Sequence, residues 1–294
     1  MPPFQKIHNF RDVGQTVNDF THSNHLHAGK LFRSARPDEA NDDDKLRLVK
    51  DFGIKTIIDL RTKTEHMQQS QKNGTGVSSS DVVLQTHDEV TQPSKLNSIE
   101  RYEINFNGWA FSLSLMSELS WWNTFRLVGL MAMCYRIEAI SVLGSNVMKQ
   151  EGLIGLAIRS VDTCTQEVYE VFKILYDAES YPILIHCTQG KDRTGLVVQL
   201  VLMLLDVTID AINHDYSLSQ EELQSERMER LEEIYSIGLT EEFADCHPRL
   251  VDEVAWHINQ KYGSIQKYLE VCGVTKEMQD TIKELLAARK LPYN

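Results

Sequence analysis

What the chain lacks narrows it first. No stretch reaches the roughly 18 uncharged apolar residues of a membrane-spanning helix. Met1-Pro2-Pro3-Phe4-Gln5-Lys6 is not followed by the apolar run of a secretory leader. The cysteines are few, odd in number and scattered: Cys134, Cys164, Cys187, Cys246 and Cys272 do not suggest a disulfide framework, and a reducing, cytoplasmic setting is expected. Positive charge is short, with 30 Lys and Arg against 42 Asp and Glu and a formal net charge of −12, which argues against nucleic acid as a partner. His22, His25 and His27 sit in a polar turn region with no cysteine or carboxylate at a matching step, so an exposed loop is expected there rather than a metal site; no cofactor is expected either.

What is present fits an α/β chain. At 294 residues and 42% hydrophobic, it is long enough to bury a sizeable core as one domain over 1–294. Residues 4–36 read as short strands and turns. Asp38 to Phe52 reads as a helix with an acidic start, stopped by Gly53. Ile54 to Leu60 reads as a buried parallel strand. Residues 66–98, with Gly74, Gly76 and Ser78-Ser79-Ser80, read as a long mobile loop, and Tyr102 to Phe106 as a further strand. Thr163 with Gln166 suits a capping box opening a helix with Val168, Val171, Phe172 and Leu175 on one face. Tyr181 to His186 is the expected central strand, and the chain after Leu205 reads as mainly helical. Strands alternating with helices imply a mostly parallel central sheet with helices on both faces. The acidity gathers in Asp38 to Asp44 and Glu221 to Glu242, and the latter is read as a solvated helix face.

The chemistry is concentrated in His186-Cys187-Thr188-Gln189-Gly190-Lys191-Asp192-Arg193-Thr194-Gly195. An apolar strand precedes it and a long apolar segment follows, so it reads as strand, tight loop and helix start. A phosphate monoester is a tetrahedral dianion that needs donors on several sides, and loop amides backed by a helix N-terminus supply them. Gly190 permits the inward bend. Arg193 offers a planar fork for two phosphate oxygens. The nucleophile has to be a thiolate, and a free thiol titrates near ~8.5; the groups that hold phosphate also favour a charged sulfur at Cys187. Thr188, Gln189, Gly190, Lys191 and Thr194 are the expected substrate-binding residues, with Thr194 in place to hydrogen-bond the leaving sulfur. His186 is expected to orient the loop, with Gly195 in support. The plain alternative is a buried cysteine beside a surface Lys-Asp-Arg cluster.

On this loop the chain resembles the cysteine-dependent protein tyrosine phosphatase superfamily, in particular the bacterial and fungal tyrosine and dual-specificity branch whose loop reads His-Cys-x-x-Gly-Lys-Asp-Arg-Thr-Gly. Asn9-Phe10-Arg11-Asp12-Val13-Gly14, Leu31-Phe32-Arg33-Ser34-Ala35, Ile57-Ile58-Asp59-Leu60-Arg61 and the pieces Tyr262-Gly263-Ser264, Tyr268-Leu269 and Gly273-Val274-Thr275 match further segments of that branch. The resemblance implies a protein tyrosine phosphatase-like fold and hydrolysis through a cysteinyl-phosphate intermediate. Phosphotyrosine, phosphoserine/threonine or phosphoinositide is the implied substrate and partner. Asp59 with Arg61, and Arg11 with Asp12, are expected as salt-bridged supports beneath the loop. A phosphate-binding pseudophosphatase or adaptor module is the alternative, kept open because a separate-loop aspartate is not evident: Asn105 and Asn107 stand where some relatives carry one.

Two residues compete as general acid. Asp192 lies in the loop beside Arg193 and is the preferred donor; Asp162 lies 25 residues before Cys187 and also suits a helix start. Lys191 reads either as a mobile cation at the pocket rim, suited to phosphoinositides, or as a solvated lysine. Residues 108–150, rich in Trp109, Phe111, Leu113, Leu115, Met116, Trp121, Trp122, Phe125, Val128, Met131 and Met133, read as a helical insertion. Its outcome is either a lid that shields the pocket or touches a membrane peripherally, or ordinary amphipathic helices packed on the core.

Overall fold

Successive side chains of a strand point to opposite faces, and the short apolar strands here use both. The computed structural model describes residues 4–72, 99–133 and 135–288. The strands are β1 (Arg11–Asp12), β2 (Leu31–Ser34), β3 (Thr56–Asp59), β4 (Glu100–Glu103) and β5 (Ile183–His186). They form one sheet in the order β1-β2-β5-β3-β4, parallel except for β1. Phe32, Ile57 and Leu184 point to one face, where Ile7, Leu48, Ile54 and the rings of Phe4, Phe10 and Phe52 cover them. Ile58, Ile183 and Ile185 point to the other and enter the main core.

Helices cover both faces unequally. α1 is Val13–Thr21, α2 Asp42–Lys50 and α3 Lys63–Lys72. Next come α4 (Trp109–Ser117), α5 (Trp121–Ala132), α6 (Arg136–Leu143), α7 (Lys149–Thr163) and α8 (Thr165–Tyr176). After β5 follow α9 (Asp192–Leu204), α10 (Ile209–Glu222), α11 (Arg227–Ser236), α12 (Leu250–Tyr262), α13 (Ile265–Cys272) and α14 (Lys276–Leu286). Among the described helices only α2 contributes to the aromatic face; α1, α8, α9 and α12–α14 pack on the main core. β2, β3 and β5 run in register, so Ser34, His186 and Asp59 sit side by side in the last row of the carboxyl edge.

Several local expectations change. Residues 13–21 are helical because Asp12 caps them, accepting from Gln15 N at 3.1 Å; Asp12 is thus a cap and not a salt-bridged support. The helix expected from Asp38 begins at Asp42 under an Asn41 cap, because Asp38 is drawn away to Arg61. No box forms at Thr163: it closes α7, where its Oγ1 donates to Arg159 O at 2.7 Å, and α8 starts at Thr165. Residues 66–72 belong to α3, and the rest of the expected loop, 73–98, lies outside the described residues.

The described helices of residues 108–150 are buried along one side and exposed along the other. Phe111 and Leu115 enter the main core, while Leu127, Ala139 and Val142 make a small core of their own. The opposite face, including Trp109, Trp121, Trp122 and Phe125, is exposed. This segment joins α7 through a π-helical turn (Gly144–Met148) and a break at Gly152, whose φ of 65° and ψ of −176° suit only glycine. Among the described residues no helix is long and apolar enough to cross a membrane.

Candidate active site

A planar peptide whose carbonyl is held on one side presents its N–H on the other. The loop from Cys187 to Arg193 joins β5 to α9, and outside donors hold four of its carbonyls in succession. Arg36 N donates to Thr188 O at 3.0 Å, Asn9 Nδ2 to Gln189 O at 2.9 Å, and Arg33 Nη2 to Gly190 O at 2.7 Å and Lys191 O at 3.4 Å. The N-terminal segments around Asn9 and Arg33 therefore shape the loop as a cradle. Gly190 has φ +66°, and a Cβ there would lie 2.0 Å from Ser34 O, so only glycine fits. Its N–H donates to Cys187 Sγ at 3.2 Å. Cys187 is 3% exposed, at the base of the loop.

Arg33 is fully buried and needs a counter-charge. Asp215 on α10 supplies it, pairing with Arg33 through one oxygen and with Arg11 through the other. Burial opposes ionisation of Asp215, but the two arginines hold its carboxyl below the usual range. Burial and the Arg33 charge lower Arg11 to about 10, which leaves it charged at neutral pH. Arg11 thus supports the loop as expected. Gly195 lets α9 approach α10 closely: a Cβ there would meet Tyr216 Cδ2 at 3.2 Å.

Arg193 is clamped end-on by Glu65, Nη1 to Oε2 and Nη2 to Oε1, each at 2.6 Å, and Nη1 also donates to Leu60 O at 3.2 Å. A guanidinium has five N–H groups. These contacts use three, so Nε–H and one Nη2–H remain, a fork suited to two phosphate oxygens. Glu65 also accepts from Thr188 Oγ1 and from Thr62 N at 2.9 Å. Burial pushes the Glu65 carboxyl up, but Arg193 and these hydrogen bonds outweigh it and hold it far below the carboxylate range. Sequence reasoning missed Glu65. The signal was Thr62-Lys63-Thr64-Glu65, a capping box shortly after the strand that ends at Asp59.

Asp59 and Arg61 form a charged pair, joined by Asp38, Arg101, His186 and His66. Arg61 binds Asp59 at 2.8 Å and also Asp38; Arg101 binds Asp59 from β4. His186 is fully buried, with Nε2 3.5 Å from Asp59 Oδ2 and Nδ1 3.1 Å from Cys187 O. Burial, reinforced by Arg61 and Arg101, lowers the ring to about 4, so it is neutral at neutral pH. Burial opposes the Asp59 charge, yet Arg61 and Arg101 hold its carboxyl well below the usual range.

Lys191 corrects both of its readings. Its side chain is neither a rim cation nor solvated: it is fully buried, and Nζ donates to Phe243 O at 3.1 Å and Asp245 O at 2.7 Å. It ties the loop to the segment before α12. Among the described residues the buried Thr194 Oγ1 has no hydrogen-bond partner, the Cys187 sulfur included, and Gln189 Oε1 has none either.

The two acid candidates separate clearly. Asp192 opens α9 within the loop; its side chain is 39% exposed, and Oδ1 lies 3.6 Å from Lys191 Nζ with no hydrogen-bond partner among the described residues. Asp162 is instead a clasp between α7 and α12, bound by His257 Nε2 and Tyr262 OH at 2.8 Å each and by Lys261 Nζ at 2.9 Å. Burial opposes its charge, but these partners lower its carboxyl. A carboxylate held charged by three donors is a poor proton donor.

Comparison with known proteins agrees with this geometry. A model described as the tyrosine phosphatase family matches residues 2–288. A triple specificity protein phosphatase of Mycobacterium tuberculosis is 30% identical over 124 residues, 37% of this chain and 45% of that protein. An inositol diphosphatase of Arabidopsis thaliana is 39% identical over 56 residues, 19% of this chain and 22% of that protein. A tyrosine-protein phosphatase of Nostoc commune is 37% identical over 57 residues, 19% of each chain. In each case the chain spans less than half the length of the relative it matches.

Proposed function

Because the chain belongs to the tyrosine phosphatase family, we propose that it hydrolyses phosphate monoesters, phosphotyrosine first among them, through a phosphorylated Cys187. The observation that carries this is the Nε–Nη2 fork of Arg193, without a partner among the described residues, at the end of a loop whose carbonyls are held by outside donors and whose base is the Cys187 sulfur. The phosphate oxygens take the Arg193 fork and the loop amides, which offset the charge spread over them in the transition state. The Cys187 thiolate forms an S–P bond as the P–O bond to the leaving group breaks. Asp192 gives that oxygen its proton. Asp192 then takes a proton from water as the water oxygen attacks phosphorus, the S–P bond breaks, and inorganic phosphate leaves with the thiolate restored.

His186, Asp59, Arg61, Glu65 and Arg33 act through the loop and Arg193. A reducing compartment such as the cytoplasm suits the thiolate. Phosphoserine/threonine and phosphoinositides remain within the proposed range; the relatives named for triple specificity and for inositol diphosphate support that breadth, whereas Lys191, turned into the protein, lends phosphoinositides no support. A peripheral lipid contact of the 108–150 insertion belongs to the same reading, supported by its exposed aromatic side chains. Phosphate release across phosphopeptides and phosphoinositides tests the range. The parent should hydrolyse phosphotyrosine peptides while Cys187→Ser binds phosphate without turnover; a Cys187→Ser variant that still turns over refutes the chemistry.

A further inference from the structure

A soluble surface rarely keeps large aromatic side chains clustered in water, and such patches mark interaction sites. The exposed side of α5 does so, and Trp109 of α4 is likewise in water. Trp109 is 76% exposed, and Trp122 and Phe125 are each 68% exposed. Trp121, Trp122, Phe125 and Val128 follow helical spacing along one side of α5, opposite the buried Leu127. Trp121 and Trp122 stack at 4.2 Å. Among the described residues none of these indoles has a hydrogen-bond partner.

The charge on this face is sparse and one-sided. Residues 109–133 contain two charged residues, Glu118 and Arg126, in a chain of net charge −12. Glu118 lies 3.6 Å from Arg159 on α7, so its charge is answered within the protein. Arg126 is exposed and has no partner among the described residues. A lone free cation amid aromatic rings complements a lipid phosphate beside acyl chains. It does not complement a second copy of the same face: a two-fold pairing sets a face against itself, bringing one Arg126 towards the other while residues 109–133 offer no unpaired carboxylate to answer it. Trp is the side chain most suited to the boundary between headgroups and acyl chains, where its ring is apolar and its N–H meets polar groups.

We propose that this face docks on a phospholipid bilayer, with Trp109, Trp121, Trp122 and Phe125 entering the headgroup–acyl boundary and Arg126 pairing with lipid phosphate. This rests on the lipid contact assigned above and not on turnover. α4 follows β4, whose Glu103 lies in the same row as Asp59 and His186, so the insertion departs from the sheet edge that carries Cys187. Docking there brings a membrane-borne phosphate monoester to the edge where the loop lies.

The test is sedimentation of the full chain with vesicles of phosphatidylcholine containing a minority of phosphatidylserine, with tryptophan emission read alongside. The parent should bind, shift its emission to the blue and remain bound in high salt. Trp122→Ser with Phe125→Ser should weaken binding at least about tenfold, and Arg126→Gln about fivefold, since one cation near a membrane surface contributes about 1 kcal/mol. Far-UV circular dichroism and hydrolysis of a soluble aryl phosphate should be unchanged in both, because these side chains lie outside the phosphate loop. Failure of the parent to bind, or equal binding by the double variant, overturns the proposal. So does reversible dimerisation that the double variant abolishes without any lipid binding. Vesicle binding by an inactive Cys187→Ser chain sustains the docking surface even if the phosphatase reading fails.

Discussion

Glu65→Gln isolates the clamp on Arg193. The carboxylate accepts two arginine N–H bonds at 2.6 Å, and these are charge-assisted. Glutamine keeps the shape and one acceptor oxygen but loses the charge, so one of the two arginine contacts survives. With such bonds worth about 1.5–3 kcal/mol each, the expected cost is about 2 kcal/mol, or about 30-fold in kcat/KM. The loss should fall mainly on kcat, because a wandering guanidinium fails the transition state more than the ground state. Stability should change by less than about 1 kcal/mol, since glutamine also completes a capping box with Thr62. Steady-state hydrolysis of an aryl phosphate, read with urea unfolding, separates the two effects. Parent-level or faster turnover refutes the reasoning, because Glu65 then competes with phosphate for Arg193. A stability loss matching the loss of activity makes Glu65 a structural residue only.

Three further outcomes follow from the same geometry. Gly190→Ala forces a Cβ to 2.0 Å from Ser34 O at φ +66°, so vanadate binding and turnover should vanish; a fully active variant contradicts the loop geometry. Asp192→Asn should slow kcat by about a hundredfold or more, while Asp162→Asn stays within about twofold; the reverse pattern transfers the acid role to Asp162. His186 sets a pH dependence: burial holds its ring near 4, against about 6.5 unfolded. Between those values the unfolded chain binds a proton that the folded chain refuses, so stability falls as pH drops through that window, by about 3 kcal/mol in total. His186→Asn should flatten that slope in urea unfolding, and an unchanged slope assigns it to other groups.

The sequence made legible what is local. The loop's place after β5 and the charged pair Asp59 and Arg61 follow from short runs in which strand, turn and helix signals agree. Unreadable features are those made by distant partners. Arg33 meets Asp215 across 182 positions and Arg193 meets Glu65 across 128, and nothing along the chain announces either pairing. Lys191 misled for a related reason: its neighbours suggest an anion pocket, but its direction depends on carbonyls contributed by Phe243 and Asp245. The insertion was ambiguous because an apolar count does not say which side is covered; Leu127 is buried while Trp122 on the same helix is exposed.

The central claim is a covalent phosphate on Cys187. Acid quenching of the parent during turnover of a radiolabelled aryl phosphate, followed by peptide mapping, tests it directly. Label should appear on the peptide containing Cys187, with the stability of a thiophosphate bond, in the parent and not in Cys187→Ser. Label on another residue, or full turnover with no labelled enzyme at any time, contradicts it.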